Sequence, residues 1–253
     1  GEVVAVTVIK DPKLKKFLED EKKITPGNGS TRIKDNLKSN PSSNLVDLGN
    51  DRKIDRGFYN ALLWMKDQMK NDGVKDWEKF EVGGGQFSGL RTDEQTAKNF
   101  QNNLNNPNTK SQSYKRRIRV CNGEMKATEA GQALRQSVAP GKGVIRYTIK
   151  CPSGTKKANQ NITFSLRGDG SPHRTGRAAD FAPFDIRMVA RKAGMQKPIF
   201  KWLETNAPKF GFIPYVQRLR NKKIPFGEIV EPWHWEMSPA NAKAWAEFGP
   251  PTT

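Results

Sequence analysis

The stretch "DRGFYNALLWMKDQMKNDG", residues 55 to 73, sets Phe58, Leu62, Met65 and Met69 three and four positions apart. That spacing puts them on one face of an α-helix, and Gly73 stands where a C-cap belongs. An apolar stripe of this width has to be covered, so the chain is committed to a core built against this helix. The run "FYNALLWM" is the longest strongly apolar stretch, well short of the roughly 20 residues a membrane helix needs. No membrane span is expected.

The other patterns are shorter. "EVVAVTVI" has strand character, and Asp11-Pro12 opens a charged helix, "PKLKKFLEDEKK". Residues 24–53 are rich in Gly, Asn, Ser and Pro and read as a linker or long loop. "WEKFEVGGG" reads as a strand entering a turn, followed by a second helix from near Thr92. Three strand-like runs follow, "YKRRIRVC", "GVIRYTIKC" and "NITFSLR". "APFDIRMVARKAG" and "PIFKWLETNAPKFGF" read as helices, the second ending at Gly211, before a closing strand near "EIVEPWHWEM" and a last helix, "SPANAKAWAEFG". Without a regular β-α-β alternation, the expected class is α+β. The 253 residues allow one full domain with an insertion or two small ones, and six Trp with thirteen Phe argue against disorder.

The formal charge is +18, from 44 basic and 26 acidic residues. Between Thr109 and Arg177 there are 15 Lys or Arg against Glu124, Glu129 and Asp169. That surface suits a polyanion: nucleic acid, an anionic membrane or an acid-bearing cell wall; a merely solvated face is the alternative. Few aromatics interleave the basic run and no helix-turn-helix or RNA-recognition pattern occurs, so nucleic acid is not the expected partner. Cys121 and Cys151 end two of the strand-like runs; a disulfide between neighbouring strands and two buried thiols both remain open. "GEVVAVTVIK" lacks the build of a secretory signal, so the chain reads as processed or cut from a larger protein.

The chain has two histidines, His173 in "SPHRTGRAADF" and His234 in "EPWHWE". With Asp180 they form a set of two imidazoles and one carboxylate that leaves one tetrahedral position open, the build of a catalytic zinc site. Glu231, three residues before His234, is placed to act as a general base, with Pro232 bending the chain between them. On the residues alone, a surface His173 and a packed, Trp-flanked His234 are the competing reading.

"SPHRTGRAAD" resembles the S-x-H-x-x-G-x-A-x-D signature, and "EPWHWE" the E-x-W-H signature, of the zinc D-alanyl-D-alanine carboxypeptidases and related cell-wall peptidases. That wider group includes the lysostaphin-type enzymes and the amino-terminal domain of Sonic hedgehog. "SGLRTDEQ" is similar to the group's S-G-Y-R-S-x-x-E-Q segment, with Leu90 in place of its aromatic, and "WLETNAPKFGF" to its W-L-x-x-N-A-x-x-x-G-F helix. The resemblance implies a small antiparallel sheet with flanking helices around a zinc cleft, and a β-rich insertion. It implies Zn2+ held by His173, Asp180 and His234, Glu231 as general base, and Arg91 on the substrate carbonyl and oxyanion. Ser171 and Trp233 are further substrate-site candidates.

By the same resemblance the expected organisation is an N-terminal segment and linker over 1–54 and a zinc peptidase domain over 55–253, with a basic insertion at about 105–165. The expected activity is hydrolysis of peptidoglycan stem peptides, as a D,D-carboxypeptidase or an endopeptidase of endolysin type. The expected partners are those peptides and an anionic wall, in periplasm, cell wall or phage virion. The alternatives are a zinc-containing binding module without chemistry, which retention of Glu231 and Arg91 argues against, and a nucleic-acid binder resting on charge alone.

Overall fold

The computed structural model describes residues 4–27, 39–86, 88–92, 95, 102, 105–127, 144–167, 172–184, 194–215 and 231–252. The chain divides into two compact units, one made of Gly1–Leu90 with Thr175–Thr253 and the other of Arg91–Arg174.

The first unit is organised around α2 (Arg56–Asn71), preceded by α1 (Pro12–Lys15) with its π-helical continuation Lys16–Asp20. The Asp55 side chain caps α2 by accepting from the Phe58 N–H at 2.9 Å, and Gly73 follows with φ +68. Phe58, Leu62, Met65 and Met69 are all essentially fully buried, as their spacing predicts. Truncating one of them, as in Leu62→Ala, is worth about 2–5 kcal/mol of lost stability. The other helices of the unit are α4 (Pro198–Asn206) and α5 (Pro239–Phe248). α5 lies against α2: Asn60 Nδ2 donates to Trp245 O at 3.1 Å, and Trp64 Nε1 to Gly249 O at 2.9 Å.

The sheet that positions the candidate site is antiparallel and four-stranded, in the order β3 (Glu81–Val82), β6 (Ala178–Ala182), β8 (Glu231–Met237), β7 (Phe212–Tyr215). Phe181, Phe212, Trp235 and Met237 join the core with Phe58 and Phe80. With β1 (Leu45–Gly49) and β2 (Arg52–Asp55), which form a separate hairpin, the unit is α+β, as expected.

The second unit holds α3 (Gln112–Cys121) and the hairpin of β4 (Val144–Lys150) with β5 (Asn161–Arg167), paired from Val144↔Arg167 to Lys150↔Asn161. A Cys121–Cys151 disulfide ties the end of the helix to the end of β4. Closing a loop of that length removes freedom from the unfolded chain equivalent to about 3–4 kcal/mol. Lys157 N also donates to Cys121 O at 2.9 Å, and Lys156 N to Asn122 Oδ1 at 3.1 Å.

Four readings from sequence are corrected. "RRIRVC" is helical: Tyr114, Ile118 and Cys121 recur at helical spacing, and Ser111 caps the Tyr114 N–H at 3.1 Å. The disulfide therefore joins a helix to a strand, not two strands. "EVVAVTVI" forms no strand over its described residues, because side chains take its backbone groups: Thr7 N donates to Asn206 Oδ1 at 2.8 Å and Gln68 Nε2 to Val8 O at 3.0 Å. Residues 45–53 of the supposed linker belong to the β1–β2 hairpin, which turns at Asn50 and Asp51, both with positive φ. "PIFKWLETNAPKFGF" is α4 followed by a tight 3-10 turn at Ala207–Phe210, where Pro208 cannot continue an α-helix. The expected helix over 182–194 falls mostly outside the described residues.

Candidate metal centre

β6 and β8 run antiparallel with Asp180 directly opposite His234, Ala179 opposite Trp235 and Ala178 opposite Glu236. Directly opposed residues project to the same side of a sheet, so this register alone sets the Asp180 carboxylate beside the His234 ring. Asp180 Oδ1 lies 3.2 Å from His234 Nδ1. One ligand atom from each of His173, Asp180 and His234 lies within 4.8 Å of the other two. Among the described residues this is the group of three or more His, Cys, Asp or Glu side chains gathered in that way.

His173 is 3% exposed and sits in a 3-10 turn, Pro172–Thr175, that leads into β6. The "SGLR" segment fixes the backbone on either side of that turn and strand. Ser88 O accepts from Asp180 N at 2.7 Å, while Arg91 N donates to His173 O at 3.0 Å. Gly89 allows the segment to run against β2, since a side-chain carbon there would lie 2.4 Å from Lys53 O. Beyond it, Thr92 and Gln95 cap each other: Thr92 N donates to Gln95 Oε1 at 2.8 Å and Gln95 N to Thr92 Oγ1 at 3.1 Å. The helix expected from near Thr92 falls mostly outside the described residues.

Glu231 Oε2 lies 4.0 Å from His234 Nδ1. In a regular strand residues three apart point to opposite faces. Here the β7–β8 ladder jumps from Pro214↔Trp235 to Tyr215↔Glu231, so the stretch containing Pro232 is an irregularity of β8. That irregularity re-aims Glu231 toward the side His234 occupies. Glu231 keeps about a quarter of its side chain exposed, and His234 is buried.

Glu236, a residue the sequence reading did not place in the site, approaches the other nitrogen of the imidazole: its Oε1 is 3.0 Å from His234 Nε2. Residues two apart on a strand share a face, and that spacing was the available signal. Burial pulls the His234 pKa down, but hydrogen bonds to Asp180 and Glu236, reinforced by their charges, outweigh it and raise it to about 9. Trp233 is 4% exposed. Ser171 lies outside the described residues.

The arrangement suits a divalent metal of intermediate softness. Two imidazoles and a carboxylate converge, a further carboxylate stands 4.0 Å from His234 Nδ1, and no thiolate is at hand because both cysteines are in the disulfide.

A family model described as VanY, D-alanyl-D-alanine carboxypeptidase, matches residues 52–240. A comparison with curated proteins returns no match. Among solved structures, the chain is similar to a mutant of a vancomycin resistance D,D-pentapeptidase from a VanB-type resistance cassette, in complex with Zn(II). The two are 20% identical, with 81% of this chain and 84% of that one covered and a TM-score of 0.40. VanYB in complex with D-alanine-D-alanine is 18% identical, over 83% and 86% of the two chains, at a TM-score of 0.42. DacB from Streptococcus pneumoniae is 17% identical, over 81% and 90%, at 0.35.

Proposed function

This chain belongs to the D-alanyl-D-alanine carboxypeptidase family, and from that premise we propose that it is a zinc-dependent peptidase of peptidoglycan stem peptides, hydrolysing the bond next to a D-alanine outside the cytoplasm. The observation that carries the reading is the convergence of His173, Asp180 and His234 within the region the family model matches.

His173, Asp180 and His234 would hold the zinc. Bound there, the metal supplies Lewis acidity toward the scissile carbonyl and makes water easier to deprotonate. Glu231, partly exposed and on the Asp180 side of His234, takes the proton of the attacking water and returns it to the leaving amine. Arg91 binds the substrate carbonyl and stabilises the charge that develops on its oxygen, a task suited to a planar, permanently charged fork. Its backbone bond to His173 O supports that placement. Ser171 and Trp233 enter as substrate-site candidates on the signature match alone.

The exposed lysines of the second unit, Lys115, Lys126, Lys156 and Lys157, give the enzyme a means of holding an anionic wall polymer. Among the described residues, no helix is long and apolar enough to cross a membrane. The family match favours trimming or remodelling of the wall, and nothing favours a virion assembly.

The test is a digest of purified peptidoglycan with mass spectrometry of the products. Release of D-alanine from pentapeptide stems supports the carboxypeptidase reading. Cross-bridge cleavage without D-alanine release would make it an endopeptidase, and unchanged muropeptides would overturn the proposal.

A further inference from the structure

Glu236 is 1% exposed, one residue before the end of β8. Its cross-strand partners are Ala178 on β6 and Ile213 on β7, neither of which carries a side-chain donor. Oε1 meets His234 Nε2 at 3.0 Å, and Oε2 is buried with no hydrogen-bond partner. A buried carboxylate answered on one oxygen only is costly to a fold, and the bond that Glu236 does make is to the His234 ring. With Nε2 turned to Glu236, Nδ1 is the nitrogen that faces Asp180 at 3.2 Å and Glu231 at 4.0 Å.

We propose that Glu236 is a positioning residue for the metal site: it accepts the Nε2–H of His234, locks the tautomer that leaves the Nδ1 lone pair free for the metal, and raises the donor strength of that nitrogen. The inference rests on the zinc reading above and deepens it. The same geometry removes Glu236 from the general-base role, because its carboxylate stands on the nitrogen turned away from Asp180 and Glu231. Metal-ligating imidazoles commonly give their second N–H to such a partner, and losing it typically weakens metal binding 10-fold to 100-fold.

Because the chain has only His173 and His234, histidine labelled with nitrogen-15 yields two imidazole patterns and a direct test. The zinc-loaded wild type should show His234 protonated on Nε2, with that proton shifted downfield by the carboxylate. Glu236→Gln is nearly isosteric and keeps an acceptor oxygen. It should retain the tautomer, move the proton upfield and weaken zinc binding about 10-fold in a chelator competition. Glu236→Leu should approach 100-fold. Should the Leu variant misfold, the Gln variant decides.

A purely structural Glu236 would lower the melting temperature of the metal-free Gln variant and leave its zinc affinity within twofold of wild type, which overturns the proposal. An Nδ1-protonated His234 in the zinc-loaded wild type overturns it as well. A wild type that binds no zinc overturns the metal reading and this inference together, and is told apart by the wild-type titration alone.

Discussion

Asp180 and His234 are exact cross-strand partners on β6 and β8, and their side chains meet at 3.2 Å between Oδ1 and Nδ1. The pairing ties the candidate metal site to sheet register. A one-residue slip of either strand would send one of the two side chains to the opposite face, so the site exists only while the four-stranded sheet is correctly paired. The site's stability is therefore the sheet's.

Removing a ligand should empty the site without unfolding the core. The wild type should carry about one zinc per chain by elemental analysis, and His173→Ala or His234→Ala should lose it. The large side chains that make the core, such as Phe58, Met65 and Trp245, belong to a buried apolar cluster that includes none of the three proposed ligands. Circular dichroism of the His173→Ala variant should therefore stay close to that of the metal-free wild type. Zinc retained at full occupancy in both variants would move the site elsewhere.

Glu231→Gln should keep zinc and lose turnover. The residue is not among the three ligands, so its amide leaves them in place, but it cannot take a proton. Removal of a positioned base usually costs 100-fold to 10,000-fold in rate. The readout is kcat on a synthetic pentapeptide beside zinc content. A variant with normal kcat would leave the base unassigned, since Glu236 faces the other nitrogen of His234.

The metal-free protein should lose stability at alkaline pH. In that state His234 carries both ring protons, between Asp180 and Glu236, with a pKa raised from 6.5 to about 9. A raised folded-state value means the stabilisation is fully present below about 6.5 and disappears as pH climbs through about 9. Melting temperatures measured in chelator should fall across that window, and His234→Gln should flatten the fall. With zinc bound the ring is a neutral ligand, so the loaded enzyme should not show the same loss. A flat profile for the metal-free wild type would mean the doubly bonded imidazolium is not formed.

How far the sequence carried depends on whether each feature is local. The helix at Phe58–Met69 was legible because its period is intrinsic to the chain, and the site candidates because the two histidines lie in distinctive signatures. The reach of Glu231 toward His234 was harder: residues three apart on a strand should diverge, and only the β8 irregularity around Pro232 brings them together. "RRIRVC" was misread because basic residues hid a helical spacing that Ser111 would have announced as a cap. "EVVAVTVI" has the composition of a strand but finds Asn206 and Gln68 where a neighbouring strand would be, partners far away in sequence that no local pattern reveals.

Attachment to the wall should be separable from chemistry. Lys115, Lys156 and Lys157 are exposed, whereas the Arg117 guanidinium lies 5.0 Å over the Tyr114 ring and packs, so neutralising Arg117 would mix charge with stability. Replacing the three lysines by Gln should weaken binding to whole sacculi, most at low salt, while cleavage of a short soluble peptide stays nearly intact. Equal losses on both substrates would place this surface in the catalytic cleft.

Arg91→Lys should be damaging although it keeps the charge. The backbone of Arg91 is held to His173 O at 3.0 Å, so the side chain starts from a point fixed beside a proposed metal ligand. A planar guanidinium can aim two N–H groups at one developing oxyanion, and a flexible ammonium cannot reproduce that geometry. If the contact strengthens as charge develops, the loss falls on kcat; if it only holds the ground-state carbonyl, the loss falls on KM. Losing one oxyanion donor elsewhere costs about 100-fold to 1,000-fold in kcat, which sets the scale. Zinc content should not change, because the backbone bond to His173 survives the substitution. Steady-state kinetics on a synthetic stem peptide separate the two outcomes, and unchanged kcat and KM would reduce the role of the "SGLR" segment to its backbone bonds with Asp180 and His173.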